Sequence, residues 1–151
     1  MSAQPVVAQV THRFNASAER VFDAWLDPAR VRAWMALSER KGPGGELLRV
    51  RIDARVGGTF SFVVRRNGQE IDHVGEYLEI DRPRRLVFTW AAGAAGQVHQ
   101  AFSRVTIVLQ PLAGGCEVTL SHEMDAQWAE FADRARGAWS LMLDSIAGSI
   151  G

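Results

Sequence analysis

The feature that most constrains the fold is an alternation of apolar and polar residues that recurs from Leu48 to Glu123. Six successive segments show it, and short turns containing Gly, Pro, Asn or Asp separate most of them. A period of two is typical of strands with one buried face. Asn67-Gly68 is the strongest hairpin signal, because the two residues of a tight hairpin turn need positive φ. Six strands joined in this way predict an antiparallel meander rather than a parallel βαβ sheet.

The segment before the meander predicts one more strand and a helix. Val6 to Phe14 alternates in the same way, and Asn15-Ala16-Ser17 ends it. Ser17 is a suitable N-cap for a helix over Ala18–Leu26, which turns its apolar residues to one side.

Asp27-Pro28 predicts a second helix, because aspartate is a good N-cap and proline suits the first helical position. We expect this helix to be short and to carry Trp34, with a glycine-rich loop over Ser38–Glu46 after it. A mobile loop is expected over Ala91–Ala101, where small residues predominate and His99 is a candidate for a cavity mouth or a plain surface histidine.

The C-terminal stretch, Gln127 to Ile150, predicts a long amphipathic helix. The apolar residues that fall three or four apart are Trp128, Phe131, Ala135, Trp139, Met142, Ile146 and Ile150. Gly137 interrupts this pattern and costs about 1 kcal/mol relative to alanine in a helix. Two explanations are open for Gly137: a packing adjustment, or room left for a cavity.

Composition bounds the class of protein. The 151 residues are most simply one domain over 1–151, and 47% hydrophobic with 23% charged residues is ordinary for a globular chain. A formal net charge of zero does not favour a nucleic-acid partner. Without a leader-like N-terminus, a long apolar run or a second cysteine beside Cys116, we expect a cytoplasmic protein with no membrane insertion.

Five strings together resemble the successive blocks of the SRPBCC (START-like) superfamily, in its activator of Hsp90 ATPase homologue branch. They are NASAERVFDAWLDPARVRAW, DARVGGTFSF, GEYLEIDRPRRLVFTW, GGCEVTLSHEM and GAWSLMLDSI. The resemblance runs from about Val10 to Ile150 and implies an α+β helix-grip (Bet v 1/START-like) fold. In that fold a seven-stranded antiparallel sheet curves around a long C-terminal helix and leaves a cavity between them. The chain departs from the family at Ala138, which separates Gly137 from Trp139, and at Cys116, where threonine is common.

The residues expected to line this cavity are aromatic and apolar, with a few polar groups among them. They are Trp34, Phe60, Phe62, Glu76, Phe88, Trp90, His122, Trp139 and Met142. Glu76 shares the strand phase of Val74 and Leu78, which predicts that it points inward. A buried carboxylate could bind a ligand or transfer protons, but a bulge at Gly75 would leave Glu76 solvated or structurally paired.

Three histidines lie in the predicted strands. His12 and His122 share phase with apolar neighbours and could approach each other if the first and last strands pair. They could be core histidines with satisfied hydrogen bonds, cavity polar groups or metal ligands, although no third ligand lies nearby in sequence. His73 falls in the opposite phase and is predicted to be exposed.

The function classes that remain open are a binding module, an enzyme and a co-chaperone. The leading prediction is a module for a small hydrophobic or amphipathic ligand. The resemblance also implies a polyketide cyclase or aromatase-like enzyme, or a co-chaperone-type stress-response protein. The chain has no phosphate loop, nucleophile elbow or zinc-protease motif, so no reaction is assigned and neither cofactor nor metal is expected.

A homodimer through an edge strand at Leu48–Ile52 is possible, although Arg49 and Arg51 equally suit a protected edge.

Overall fold

The computed structural model describes residues 4–94 and 103–150 of the chain. Its elements are β1 (Val6–Phe14), α1 (Ala18–Leu26), α2 (Pro28–Lys41), β2 (Glu46–Ile52), β3 (Thr59–Arg66), β4 (Gln69–Asp81), β5 (Arg85–Ala94), β6 (Ser103–Leu112), β7 (Gly115–Met124), a 3₁₀ turn (Ala126–Phe131) and α3 (Ala132–Ile150). The predicted order of strand, two helices, six strands and a terminal helix is confirmed.

The strands form one antiparallel sheet in the order β1-β7-β6-β5-β4-β3-β2. The first strand therefore lies beside the last, and the meander fills the rest of the sheet. Asn67 and Gly68 have φ values of 53° and 75°, which suit a two-residue hairpin turn of type I′. The predicted α+β helix-grip class, with seven strands curved around a long C-terminal helix, is confirmed.

The core lies between the inner face of the sheet and the helices. α3 packs against β1 and α2, and it buries Trp139, Leu143, Ile146 and Ile150. Each large apolar side chain that is fully removed from water contributes about 1.5–3 kcal/mol, so this face of α3 is a major source of stability. None of the helices in residues 4–94 and 103–150 has the length and apolar character needed to cross a membrane.

Two N-caps fix the helices that follow β1. The Ser17 side chain accepts a hydrogen bond from the Arg20 backbone at 3.2 Å, and the Asp27 side chain accepts one from the Ala29 backbone at 2.9 Å. Pro28 occupies the first turn of α2, as predicted. Caps of this kind stabilise a helix by about 1 kcal/mol each.

α2 is longer than predicted. We expected a loop from Ser38, but the helix continues to Lys41. Glu39 is 4% exposed and receives two hydrogen bonds from Arg66, at 2.8 and 2.6 Å. This pair joins the last turn of α2 to the end of β3, and sequence periodicity does not reveal it because its partners are 27 residues apart.

Two strand predictions also change. A register shift between Leu47 and Arg49 places Leu47, rather than Leu48, against the core. The predicted loop at Ala91–Ala101 begins later, because Ala91–Ala94 continue β5 opposite Ile71–Val74 of β4. The rest of that loop, with His99, lies outside the described residues.

The terminal helix differs from prediction in its first turn and at its glycine. Residues 126–131 form a 3₁₀ turn capped by Asp125, which leaves Trp128 39% exposed, so its predicted place in the buried stripe is wrong. Gly137 is exposed, and a Cβ built there meets no atom within 4 Å. Gly137 therefore faces solvent, and neither a packing adjustment nor the cavity requires it.

Substituting Gly137 with alanine tests this placement. We expect Gly137→Ala to raise the free energy of unfolding by up to about 1 kcal/mol, because it removes a mid-helix glycine without a clash. Urea denaturation measures the change. A loss of stability would contradict the exposed position of Gly137.

The Glu39–Arg66 pair predicts an asymmetric response. Arg66→Ala leaves a buried carboxylate without its partner and should lower the free energy of unfolding by about 3 kcal/mol. Glu39→Ala leaves an arginine whose side chain is 29% exposed and can reach water, so its cost should be about 1 kcal/mol. Arg65→Ala, which breaks the exposed pair with Glu46, is the matched control and should cost about 0.5 kcal/mol or less. Equal losses for the Arg66 and Arg65 variants in urea denaturation would refute the prediction.

Candidate functional site

A cavity walled by aromatic rings lies between the inner face of the sheet and the helices. Its volume is about 10 Å³, close to the minimum needed for one water molecule. The residues that line this aromatic cavity are Trp25, Trp34, Phe60, Phe62, Tyr77, Leu86, Phe88, Trp90 and Trp139. None of these side chains carries a formal charge at neutral pH.

Strand geometry explains how so many rings converge. β3 and β5 each contribute two aromatic residues at alternate positions, which the pleat turns to the same face. Gly75 on the intervening β4 leaves room for them, since a Cβ there would lie 2.5 Å from the Phe60 ring and 1.9 Å from the Thr89 carbonyl oxygen. Any side chain at Gly75 would therefore displace the backbone or the ring.

Phe60 lies at the centre of the ring cluster. Its ring centroid is 4.9 Å from that of Phe62, 5.4 Å from Tyr77, 5.5 Å from Phe88 and 5.9 Å from Trp90. Aromatic pairs at such distances contribute about 0.5–1.5 kcal/mol each beyond the burial of their area. The cavity wall is therefore a mutually supporting set of rings.

A directed chain of hydrogen bonds holds one side of the wall. Trp139 Nε1–H donates to His122 Nδ1 at 3.0 Å, and an indole nitrogen can only donate. The proton of neutral His122 must then reside on Nε2, which donates to Ser103 Oγ at 2.6 Å. Ser103 in turn donates to the Trp90 carbonyl oxygen at 2.8 Å. This Trp139–His122–Ser103 chain joins α3 to β7, β6 and β5.

The environment of His122 determines its charge. Burial lowers its pKa to about 4, so the imidazole is neutral at physiological pH. A second proton on Nδ1 would also oppose the Trp139 N–H. Both ring nitrogens are engaged with protein groups, so His122 positions Trp139 rather than presenting a free nitrogen to the cavity.

One fully buried polar atom in the described cavity wall has no partner. Trp25 is 6% exposed, and its buried Nε1–H makes no hydrogen bond within residues 4–94 and 103–150. Trp34 differs, since its Nε1–H donates to the Ala24 carbonyl oxygen at 2.8 Å. A buried donor left unpaired costs about 1–3 kcal/mol, so the unpaired N–H of Trp25 lowers the stability of the ligand-free protein.

Six of the nine predicted site residues line the aromatic cavity: Trp34, Phe60, Phe62, Phe88, Trp90 and Trp139. His122 is buried behind Trp139 and holds its ring. Met142 is half-buried on α3 and is not part of the cavity lining.

Of the two alternatives for Glu76, the solvated one is observed and the inward one is wrong, and the exposed position predicted for His73 is also wrong. Glu76 is exposed, and its backbone N–H donates to Thr89 Oγ1 at 2.9 Å, whereas His73 is buried 5.4 Å from the Trp90 ring. The cause is a register shift between Tyr77 and Glu79, which places Leu78 in a bulge. Before the bulge, the odd-numbered residues of β4 therefore face inward. The apolar pattern places the even-numbered residues there instead.

Sequence reasoning missed three residues of the lining, Trp25, Tyr77 and Leu86. Tyr77 has the same strand phase as His73, so the same error of phase conceals it. Trp25 lies on the apolar side of α1, but periodicity alone cannot tell which core residue borders a cavity. Burial raises the pKa of Tyr77 above its usual range, so the phenol is neutral at physiological pH.

The remaining candidate residues lie apart from the cavity lining. β1 and β7 pair, yet His12 lies opposite Val118 and His122 opposite Ala8. This offset of four residues is about 13 Å along a strand, so the expected approach of the two histidines does not occur. Cys116 is fully buried, and burial raises the pKa of its thiol, which disfavours a reactive thiolate.

Larger grooves open on the outside of the described part of the protein. One of about 420 Å³ runs between α2 and β2, and one of about 450 Å³ includes Glu76 on the outer face of the sheet.

The three arginines after β4 form no free basic patch, because Arg82 pairs with Asp23, Arg84 with Asp81 and Arg85 with Glu79. The Arg82 guanidinium holds the pKa of Asp23 below its usual value.

A seven-stranded antiparallel sheet around a C-terminal helix, with an aromatic cavity between them, defines a START-like domain of the helix-grip class. The sequence model of the activator of Hsp90 ATPase homolog 1-like proteins matches residues 15–151. The chain therefore belongs to that family. Among curated proteins, none matches its sequence.

Solved bacterial structures share the fold. A crystal structure from Chromobacterium violaceum has 25% sequence identity and a TM-score of 0.78, and the match covers 94% of both chains. One from Nitrosomonas europaea has 17% identity and a TM-score of 0.78 over 96% of this chain and 94% of that one. An NMR structure from Arthrobacter aurescens has 18% identity and a TM-score of 0.79 over 93% of this chain and 83% of that one.

The low pKa of His122 predicts a stability that depends on pH. A histidine has a pKa of about 6.5 when unfolded, so between pH 6.5 and about 4 the unfolded state binds more protons than the folded one. The free energy of unfolding should therefore fall as the pH falls through this window. His122 alone accounts for a loss of about 2 kcal/mol between pH 7 and pH 5.

His122→Gln tests this prediction, because an amide can accept from Trp139 and donate to Ser103 but does not titrate in this range. The free energy of unfolding, measured by urea denaturation, should fall less between pH 7 and pH 5 in the variant than in the wild type. His73→Gln is a needed comparison. Burial also lowers the pKa of His73, so this histidine too should reduce the free energy of unfolding as the pH falls. An unchanged pH dependence in His122→Gln would refute the assignment.

Proposed function

We propose that the protein binds a small, flat, largely apolar molecule in the aromatic cavity. The observation that carries this proposal is the composition of the wall, in which eight aromatic rings and Leu86 surround one space with no charged side chain among them. Pockets for small molecules are typically apolar and aromatic with a few polar groups. Membership of a START-like family supports the same assignment.

Binding requires the cavity to expand, because about 10 Å³ cannot hold an organic molecule. Trp90 is the ring best placed to move. It is only half-buried, its side chain makes no hydrogen bond within the described ranges, and its neighbour Trp139, 4.9 Å away, is held by His122. A ligand would therefore replace contacts that Trp90 now makes, while the Trp139 side of the wall stays fixed.

A ligand-binding function accounts for this wall better than catalysis does. The candidate groups for proton transfer were Glu76 and a histidine, but Glu76 lies on the outer face and both His122 nitrogens are occupied. No described residue of the cavity lining supplies an alternative acid or base near neutral pH. We therefore propose a carrier or sensor of the ligand.

Naphthalene is a suitable probe, and the chain contains an internal control. Of the five tryptophans, four line the cavity, whereas Trp128 lies on the 3₁₀ turn outside it. Titration followed by ¹H–¹⁵N NMR should shift the indole signals of Trp25, Trp34, Trp90 and Trp139 and leave that of Trp128 unchanged. For a ten-carbon ligand we expect a Kd on the order of 100 μM.

Binding to the native state must also raise the melting temperature as naphthalene is added. If neither the four cavity signals nor the melting temperature responds, the proposed function is wrong. A response confined to Trp128 would place the ligand on the surface instead and would equally refute it.

A further inference from the structure

The unpartnered N–H of Trp25 identifies the kind of polar group that a ligand should carry. Trp25 is more than nine-tenths buried and lines the aromatic cavity, and its Nε1–H has no acceptor in the described part of the chain. The two most buried cavity tryptophans besides it, Trp34 and Trp139, each donate to a protein acceptor. Trp25 is thus the one of these three donors that is left available.

The aromatic rings around Trp25 supply no strong acceptor for this donor. Its aromatic neighbours are Trp34 at 5.3 Å, Trp139 at 6.4 Å and Phe88 at 6.5 Å between ring centroids. These rings offer π faces, which are weak acceptors compared with an oxygen. An oxygen brought in by a ligand would be the strong acceptor that this position lacks.

The same wall restricts the charge of the ligand. None of the lining side chains carries a charge that could pair with a carboxylate or an ammonium group, and burying an unpaired charge is strongly unfavourable. Within residues 4–94 and 103–150, His12 Nδ1 is also buried without a partner, but it belongs to β1 and does not line this cavity. Trp25 Nε1–H is therefore the fully buried donor of the described lining that lacks a partner, and it calls for a neutral acceptor.

We infer that Trp25 is the polar anchor of the site and that the ligand is a neutral aromatic molecule bearing a hydrogen-bond acceptor such as a carbonyl or ether oxygen. This inference rests on the proposed function, because it assigns a ligand class to the same cavity. It adds a donor–acceptor contact between Trp25 Nε1–H and the ligand oxygen to the apolar contacts with the rings.

Two probes of nearly equal shape test the anchor. 2-Acetonaphthone carries a carbonyl group, and 2-isopropenylnaphthalene replaces that oxygen with a methylene. The measured quantity is the ratio of the Kd of the hydrocarbon to the Kd of the ketone, obtained by fluorescence titration. Because each protein is its own reference, differences in cavity size and in the hydration of the two probes largely cancel.

Trp25→Phe removes the N–H and keeps an aromatic ring, and Trp34→Phe is the matched control, since its N–H is already paired with Ala24. We expect the ratio to fall by about tenfold in Trp25→Phe, as the loss of one hydrogen bond predicts, and to stay near the wild-type value in Trp34→Phe. An unchanged ratio in Trp25→Phe, or an equal fall in both variants, overturns the anchor.

Wild-type protein provides a second readout that does not depend on the variants folding. The Trp25 indole proton should shift downfield with 2-acetonaphthone and much less with 2-isopropenylnaphthalene. If both probes bind and this difference is absent, the anchor is wrong while the proposed function stands. If neither probe binds, the proposed function fails and the anchor fails with it.

Discussion

The hydrogen bond from Trp139 to His122 organises one side of the aromatic cavity. It joins the apolar face of α3 to the inner face of the sheet and continues through Ser103 to the backbone of β5. Because the bonds run in one direction, each donor has an acceptor and His122 stays neutral. Trp139 is thereby fixed as one side of the aromatic cavity, and Trp90 packs against it at 4.9 Å.

The aromatic cavity has a closely packed wall with two exceptions. Most of its rings are buried and pack against one another, which favours a filled core. Yet Trp25 retains a buried donor without a partner, and Trp90 is only half-buried. These two features distinguish the cavity from an ordinary hydrophobic core, and the proposed ligand class follows from them.

Much of the fold could be predicted because it depends on local periodicity. Alternation along the meander, the Asn67-Gly68 turn and the N-caps at Ser17 and Asp27 each specify a short piece of backbone independently of the rest. The aromatic part of the cavity lining could also be predicted, since rings at alternate strand positions must share a face. The phase of β4 could not, because the bulge at Leu78 depends on pairing with β5.

Local sequence patterns predict the order of the elements, the antiparallel meander and the aromatic residues that share the inner face of the sheet. The pairing of buried polar groups is set by contacts between distant elements. Glu39 meets Arg66, His122 meets Trp139, and Trp25 meets no acceptor in the described residues. The physical reason is that periodicity assigns a residue to a face, whereas a hydrogen bond depends on contacts between elements that are distant in sequence.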